Sequence, residues 1–244
     1  MSIVEVKNLE FKYPDTGRVI SNISFSLEKG QRCGIIGPNG AGKTTLFHLM
    51  CGLLAPSSGS ILINTTPVEH NTFNPSIGYV FQNTDDMLFT ASVYEDISFG
   101  PLNLGLDTQV VKDRVQAAME ITGTSQLKDR PPHHLSGGEK RMVAIASVIA
   151  MQPEIVIYDE PTSELDMRAR RNLIRFLHNS HETMLIASHD LEFILETCSR
   201  VLLINGGELV TGGTPSEIMK DQELMLQNGL ERPHSLLHGI THDH

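Results

Sequence analysis

The sequence predicts an α/β fold whose buried strands deliver polar residues at their ends, and three observations predict it. Gln31 to Ile36 reads as a short buried strand, Ile155 to Tyr158 is a continuous apolar run that reads as a buried parallel strand, and Thr183 to Ala187 reads as another buried strand. Each runs into chemistry: Gly37 and a glycine-rich turn, Asp159-Glu160, and Ser188-His189-Asp190. Helical periodicity from Thr90 to Met151, about residues 90–150, sets an α-helical subdomain apart, while alternation near the N-terminus marks an antiparallel β subdomain.

Ile3 to Leu9 and Ile20 to Leu27 are the first expected strands, the second alternating Ile23, Phe25 and Leu27 against Asn22, Ser24 and Ser26. Pro14 to Gly17 is a turn between them. Tyr13 stands at its edge, where the ring can stack on a nucleotide base or pack on the sheet.

The buried strand ending at Ile36 opens into Gly37-Pro38-Asn39-Gly40-Ala41-Gly42-Lys43-Thr44-Thr45, which fits the phosphate-loop pattern. Without β-carbons at Gly37, Gly40 and Gly42, backbone N–H groups can close around phosphate oxygens. The helix expected over Leu46 to Met50, closed by Gly52, adds the positive end of its dipole. Lys43 neutralises the β- and γ-phosphates, and the Thr44 hydroxyl suits Mg²⁺, a hard cation that prefers oxygen ligands.

Gly59 to Ile63 and Ile77 to Phe81 are two more expected strands, the second ending at Gln82. Asp107 is placed to cap a helix with Val110, Val111, Val115, Ala118 and Met119 on its apolar face and Gly123 at its end. A proline-broken loop, Asp129 to His134, leads to Ser136-Gly137-Gly138, either a second anion-binding platform or a flexible N-cap. Its helix carries Glu139, Lys140 and Arg141 in the first turn and ends at Pro153. Asp159 and Glu160 then stand at a strand end, where open α/β sheets place their ligands. After a phosphate loop, Asp159 is expected to hold Mg²⁺ through water and Glu160 to polarise an attacking water. His189 occupies the equivalent end of the next strand.

Val201 to Ile204 and Glu208 to Thr211 form a hairpin through Gly206-Gly207, followed by short helices from Pro215 and Asp221. Residues 1–213 therefore read as one domain and 214–244 as a C-terminal helical extension with a histidine-containing tail. His234, His238 and His242 recur every four residues and would share one face of a helix, a spacing able to bind a transition metal; His244 follows, and a disordered polar tail is the preferred reading.

A formal net charge of -10 argues against a protein that coats nucleic acid or anionic lipid. Cys33, Cys51 and Cys198 are widely spaced and outside any Cys-x-x-Cys pattern, so they read as small core residues of a reducing compartment. The longest mainly apolar run, Met142 to Met151, is too short to cross a bilayer, and the N-terminus lacks a signal-peptide pattern. A cytosolic protein that reaches a membrane through a partner is expected.

Across nearly its whole length the chain resembles the nucleotide-binding subunit of an ATP-binding cassette (ABC) transporter. The resemblance rests on Leu135-Ser136-Gly137-Gly138 and on its order relative to the phosphate loop, Gln82, Asp159-Glu160 and His189. It implies a P-loop NTPase core and a head-to-tail dimer, with each ATP between the phosphate loop of one subunit and the signature of the other. By the same resemblance Tyr13 stacks on adenine, Gln82 links Mg²⁺ and water to the transporter, Glu160 is the catalytic base and His189 the γ-phosphate switch. Ser163 to Asp166 looks like the loop that crosses the dimer, with Glu164 where the family usually has a small residue and Tyr158 where it has an aliphatic one.

A narrower resemblance, to the ATPases of energy-coupling-factor importers for cobalt or nickel, rests on Phe81 to Phe89, Glu95 to Pro101 and Lys140 to Ala146. Thr84 and Met87 replace a Pro and a Gln common there. It implies a peripheral ATPase at the cytoplasmic face of the membrane with a second ATPase subunit, a transmembrane coupling protein and a substrate-binding membrane protein, and no nucleic acid. Arginine-bearing helices of the coupling protein would meet Asp85 and Asp86. Two alternatives stand beside cobalt or nickel import: a vitamin importer of the same type, and a soluble ABC ATPase acting on DNA or ribosomes. The latter type usually has a second cassette or a long coiled-coil insertion, which this chain lacks.

Overall fold

A twelve-residue strand, β1 (Ser2–Tyr13), pairs antiparallel with β2 (Gly17–Glu28), in which Ile23, Phe25 and Leu27 are buried and Asn22, Ser24 and Ser26 exposed, so the alternation read in the sequence becomes one face on the core and one on solvent. The computed structural model describes residues 2–14 and 17–237, in two compact units. One combines Met1–Asn74 with Glu182–His244; the other is Pro75–His181.

The first unit continues with β3 (Arg32–Ile36), α1 (Lys43–Met50), β4 (Ser58–Ile63) and the two-residue β5 (Thr66–Pro67). β4 pairs with β1 and β5 with β4, both antiparallel, giving the order β2-β1-β4-β5.

The second unit begins with β6 (Ile77–Val80), which ends one residue earlier than the sequence predicts, and α2 (Val93–Asn103), capped by Ser92. α3 (Thr108–Thr122) and α4 (Gly137–Ile149) follow, and Val93, Ile97, Val115, Met119, Val143 and Ala144 form the helical core. Val110 is a correction: it is 39% exposed, because the buried stripe of α3 passes through Val111, Val115, Ala118 and Met119. Asp107 precedes that helix without a side-chain cap, and Gly123 closes it with φ 67. β7 (Ile155–Asp159), wholly buried, pairs parallel with β6 and leads to α5 (Met167–Asn179).

The chain then returns to the first unit with β8 (Thr183–Ala187), α6 (Leu191–Thr197), β9 (Arg200–Asn205) and β10 (Glu208–Gly213). β3 lies between β8 and β9, parallel to both, and β10 closes the expected hairpin against β9. α7 (Pro215–Lys220), α8 (Gln222–Gln227) and α9 (His234–Leu237) end the described chain, with α7 held by a capping box between Thr214 and Glu217.

Cys33 and Cys198 are buried as expected, whereas Cys51 at the end of α1 is only half-buried. Burial pushes all three thiols up to about 12, so they stay protonated. His234 lies at the start of α9, while His238, His242 and His244 fall outside the described residues. Among the described residues no helix is long and apolar enough to cross a membrane.

Candidate functional site

In the first unit the phosphate loop follows the buried strand β3, and its glycines are imposed by geometry. Gly37, Gly40 and Gly42 have φ of 152, 77 and 102. A Cβ at Gly37 would lie 1.9 Å from the Ile204 carbonyl oxygen, and one at Gly42 2.9 Å from Ile20 Cδ1. At Gly40 there is open space, so only the backbone conformation requires glycine.

The loop is tied to its surroundings by backbone bonds: Ala41 N donates to Pro38 O at 3.2 Å, and Gly207 N donates to Ala41 O at 3.1 Å. Lys43, 8% exposed, lays its ammonium back on the loop, donating to Gly37 O at 2.8 Å and Pro38 O at 3.1 Å. α1 has no side-chain cap and no acid in its first turn, so its leading N–H groups and Lys43 present positive charge without an anionic side chain of that turn opposing it. This is a fit for phosphate. Pro38 and Asn39 form the rim, Thr44 is exposed and Thr45 buried behind it.

Tyr13 is the last residue of β1, half-exposed, with its ring edge-on to Phe11 at 4.8 Å. It packs on the sheet and keeps part of its surface free, so both sequence readings survive. His189 follows β8 and is exposed. Asp190 fixes the loop beneath it, its N–H bonding Ser188 Oγ at 3.1 Å and its carboxylate accepting from Phe193 N at 2.9 Å as the cap of α6.

The second unit holds the remaining candidates. Asp159, 2% exposed, accepts a hydrogen bond from Tyr79 Oη at 3.1 Å. Glu160, 8% exposed, has φ 48, a left-handed conformation that costs a non-glycine residue energy and occurs where surrounding structure enforces it. The Asp159 carboxylate, the Gln82 amide oxygen and, in the first unit, the Thr44 hydroxyl are all hard oxygen donors, a chemistry that fits Mg²⁺.

Ser136 is the hydrogen-bonded N-cap of α4. Its N–H and Oγ donate to Glu139 Oε2 at 2.8 and 2.9 Å while Glu139 N returns a bond to Oγ at 3.3 Å. Those bonds hold the Glu139 carboxyl below its ordinary value. Gly138 lets α4 approach α5, since a Cβ there would sit 2.6 Å from Ala169 Cβ. Asp166 caps α5 by accepting from Ala169 N at 2.7 Å, a structural task the sequence reading did not assign to it.

Gln82, Gly137, Ser163 and Glu164 line one 250 Å³ cavity, so the second unit brings the glutamine, the signature and the Ser163–Asp166 loop together. A larger 740 Å³ cleft is lined by Ser136, Gly137, Gly138 and Asp166.

Sequence reasoning missed Arg141. Its guanidinium, 3% exposed, forks onto consecutive carbonyls, Phe81 O and Gln82 O, at 2.7 Å each. Lys140 beside it bonds Asp85 Oδ1 at 2.6 Å, so Asp85, unlike the free acid the sequence suggests, already carries a cation. Both residues were legible only as charges in the first turn of α4, because their partners lie 55 to 60 residues earlier.

A family model described as ABC transporter matches residues 20–163. The chain belongs to the ABC transporter ATP-binding family. As an ABC ATPase it binds ATP and is an ATP-hydrolysing transporter subunit. It is 51% identical over 233 residues to a Synechocystis protein provisionally named as an ABC transporter ATP-binding protein, covering 96% of this chain and 82% of that one. It is 44% identical to the energy-coupling factor transporter ATP-binding protein EcfA of Methanothermobacter thermautotrophicus, covering 95% and 77%. Among solved structures, cbiO1 from Clostridium perfringens, described as part of the ABC transporter complex cbiONQ, superposes with TM-score 0.82 at 36% identity, covering 93% of this chain and 94% of that one. The ABC ATPase fold of mixed α/β core, antiparallel sheet and helical subdomain agrees with the fold read from the sequence.

Proposed function

We propose that this ABC ATPase drives a membrane importer of the energy-coupling-factor type and that its cargo is cobalt or nickel. The observation that carries the importer type is the 44% identity to EcfA over 95% of the chain, with cbiO1 as a structural neighbour. A surface of the second unit supports it: Phe89, Phe99 and Leu102 are 63%, 49% and 56% exposed, with the two rings in edge contact at 4.9 Å. Asp86 precedes Phe89 closely in the chain, next to an Asp85 already paired with Lys140, so the apolar surface and the Asp86 carboxylate together suit an amphipathic basic helix of a membrane coupling protein. The ATPase would work at the cytoplasmic face, with that coupling protein, a substrate-binding membrane protein and a second copy of this chain.

In this reading residues 1–213 form the ATPase domain, with the helical subdomain at about 90–150, and 214–244 the extension. Tyr13 stacks on adenine, and the backbone of Gly37, Pro38, Asn39, Gly40, Ala41 and Gly42, with Lys43, Thr44 and Thr45, holds the phosphates. Thr44, Gln82 and Asp159 hold Mg²⁺, whose charge offsets that of the phosphates. Glu160 accepts the proton of a water attacking the γ-phosphorus in line, and His189 contacts the γ-phosphate. Ser136, Gly137 and Gly138, with Asp166, meet the ATP held by the other copy.

The test is nickel and cobalt uptake in cells carrying the intact chain or Glu160→Gln. Loss of uptake in the variant is expected. Unchanged uptake of both metals refutes the metal cargo and leaves a vitamin as the candidate.

A further inference from the structure

The chain beyond β10 is tied at two places to the elements of the first unit that face the nucleotide. The first tie is at the end of α8. Asn228, 8% exposed, donates from Nδ2 to Leu224 O at 2.8 Å and accepts at Oδ1 from Asn205 Nδ2 at 3.0 Å. Asn205 is the last residue of β9, beside the turn that backs the phosphate loop: Ile204 O occupies the space a Gly37 Cβ would need, and Gly207 N holds Ala41 O. Gly229, next to Asn228, also reaches the loop, since a Cβ there would lie 3.8 Å from Pro38 Cβ.

The second tie is bidentate. Ser235 N donates to Glu192 Oε1 at 3.0 Å and Ser235 Oγ to Glu192 Oε2 at 2.7 Å. Glu192 lies in the first turn of α6, three residues after His189. Between the ties the segment is itself held: Leu230 N donates to Met225 O at 2.9 Å, Arg232 bonds Leu236 O at 3.0 Å, and Pro233 is buried.

We propose that residues 228–235 act as a strap that positions both nucleotide elements of the first unit: Asn228 steadies the phosphate loop through Asn205, and Ser235 steadies His189 through Glu192. The proposal rests on the phosphate-loop and His189 reading of the site. Neither Asn228 nor Ser235 belongs to that site, so each is a positioning residue whose effect passes through one element. The two ties are separable in kinetics. Loosening the phosphate loop weakens ground-state binding of ATP, whereas displacing His189 weakens an interaction with the γ-phosphate made in the transition state.

The test uses the full chain with Asn205→Ala, Ser235→Ala and Glu192→Ala, measuring the ATP dissociation constant, kcat, KM and the melting midpoint. Asn205→Ala is expected to raise Kd and KM by about three- to tenfold, the range one neutral hydrogen bond spans, with kcat within about twofold. Glu192→Ala, which cuts both bonds, should lower kcat by about tenfold with Kd nearly unchanged, and Ser235→Ala, which cuts one, by less. Ser235→Thr, which keeps the hydroxyl, should restore kcat. A fall in melting midpoint alone, or Kd and kcat moving together in every variant, overturns the strap. Lys43→Ala and His189→Ala are the controls: if the first leaves ATP binding intact or the second leaves kcat intact, the site reading fails and the strap with it. If both controls lose function while the strap variants keep theirs, only the strap fails.

Discussion

Arg141 is a buried cation whose value lies in geometry, so replacing it should separate fold stability from function. Its two charge-assisted bonds, at 2.7 Å each, are worth about 1.5–3 kcal/mol apiece, and against them stands a desolvation cost of several kcal/mol. The cost is visible: burial lowers the guanidinium pKa, opposed by attraction to Glu164, and Nε has no hydrogen-bond partner among the described residues.

Arg141→Met removes bonds and cost together and should change global stability by only about 1 kcal/mol. Arg141→Lys keeps a charge in the same dry position, hydrates more strongly and cannot fork, so it should destabilise by about 2–3 kcal/mol. In urea unfolding, with a slope of about 3 kcal/mol/M, the Lys variant should have a midpoint lower than that of the Met variant by about 0.5 M. Both variants free the carbonyls of Phe81 and Gln82, so both should lose most ATP hydrolysis. A Met variant less stable than the Lys variant would refute the reasoning, because the fork would then outweigh desolvation. Full hydrolysis in both would refute the positioning of Gln82.

Gly37→Ala and Gly40→Ala change the same loop, but a Cβ meets Ile204 O at 1.9 Å in the first and open space in the second. Gly40→Ala should cost about 1–2 kcal/mol for its left-handed conformation, and Gly37→Ala clearly more, through movement of the loop or of β9; equal melting midpoints would contradict this. Asp96, 3% exposed, is held above its ordinary value by burial, against the hydrogen bonds that Phe89 N and Thr90 N donate to Oδ1. The native state keeps this proton where the unfolded chain has lost it, so Asp96 costs no stability below the unfolded pKa of about 4, and the penalty grows as pH rises through the raised folded value. Asp96→Asn keeps the Oδ1 acceptor and does not titrate, so its stability relative to the parent should increase from about pH 4 upward; a difference independent of pH refutes the assignment.

The strands and the phosphate loop were legible because their signals are local. Burial on both faces makes Ile155–Ile157 of β7 and Met184–Ala187 of β8 continuous apolar runs, and glycines with positive φ must stand where the backbone demands them. α2 and α5 were not assigned individually. Gly100-Pro101 lies inside α2 and reads as a break, and α5 buries only Leu173, Phe176 and Leu177 among its arginines. The exposure of Val110 shows the same limit, since a helical stripe fixes the direction of a face but not where its edge falls.

The side chains around the nucleotide motifs were illegible for a different reason. A phosphate loop binds through its own backbone, so a short run of sequence contains its chemistry. Arg141, Asn228 and Glu192 act through carbonyl, amide or hydroxyl partners tens of residues away, and any polar partner at that distance leaves no periodicity or spacing to read. Their arrangement nevertheless has a common form: each grips the chain next to a motif, at Gln82, behind Gly37 or after His189, and not the motif's reactive atom. Gripping the flank fixes the motif's position while leaving its donors and acceptors to the ligand, which a direct bond to the reactive group would occupy. Substitutions at such flanking grips should therefore change rate or affinity while the motifs remain intact in sequence.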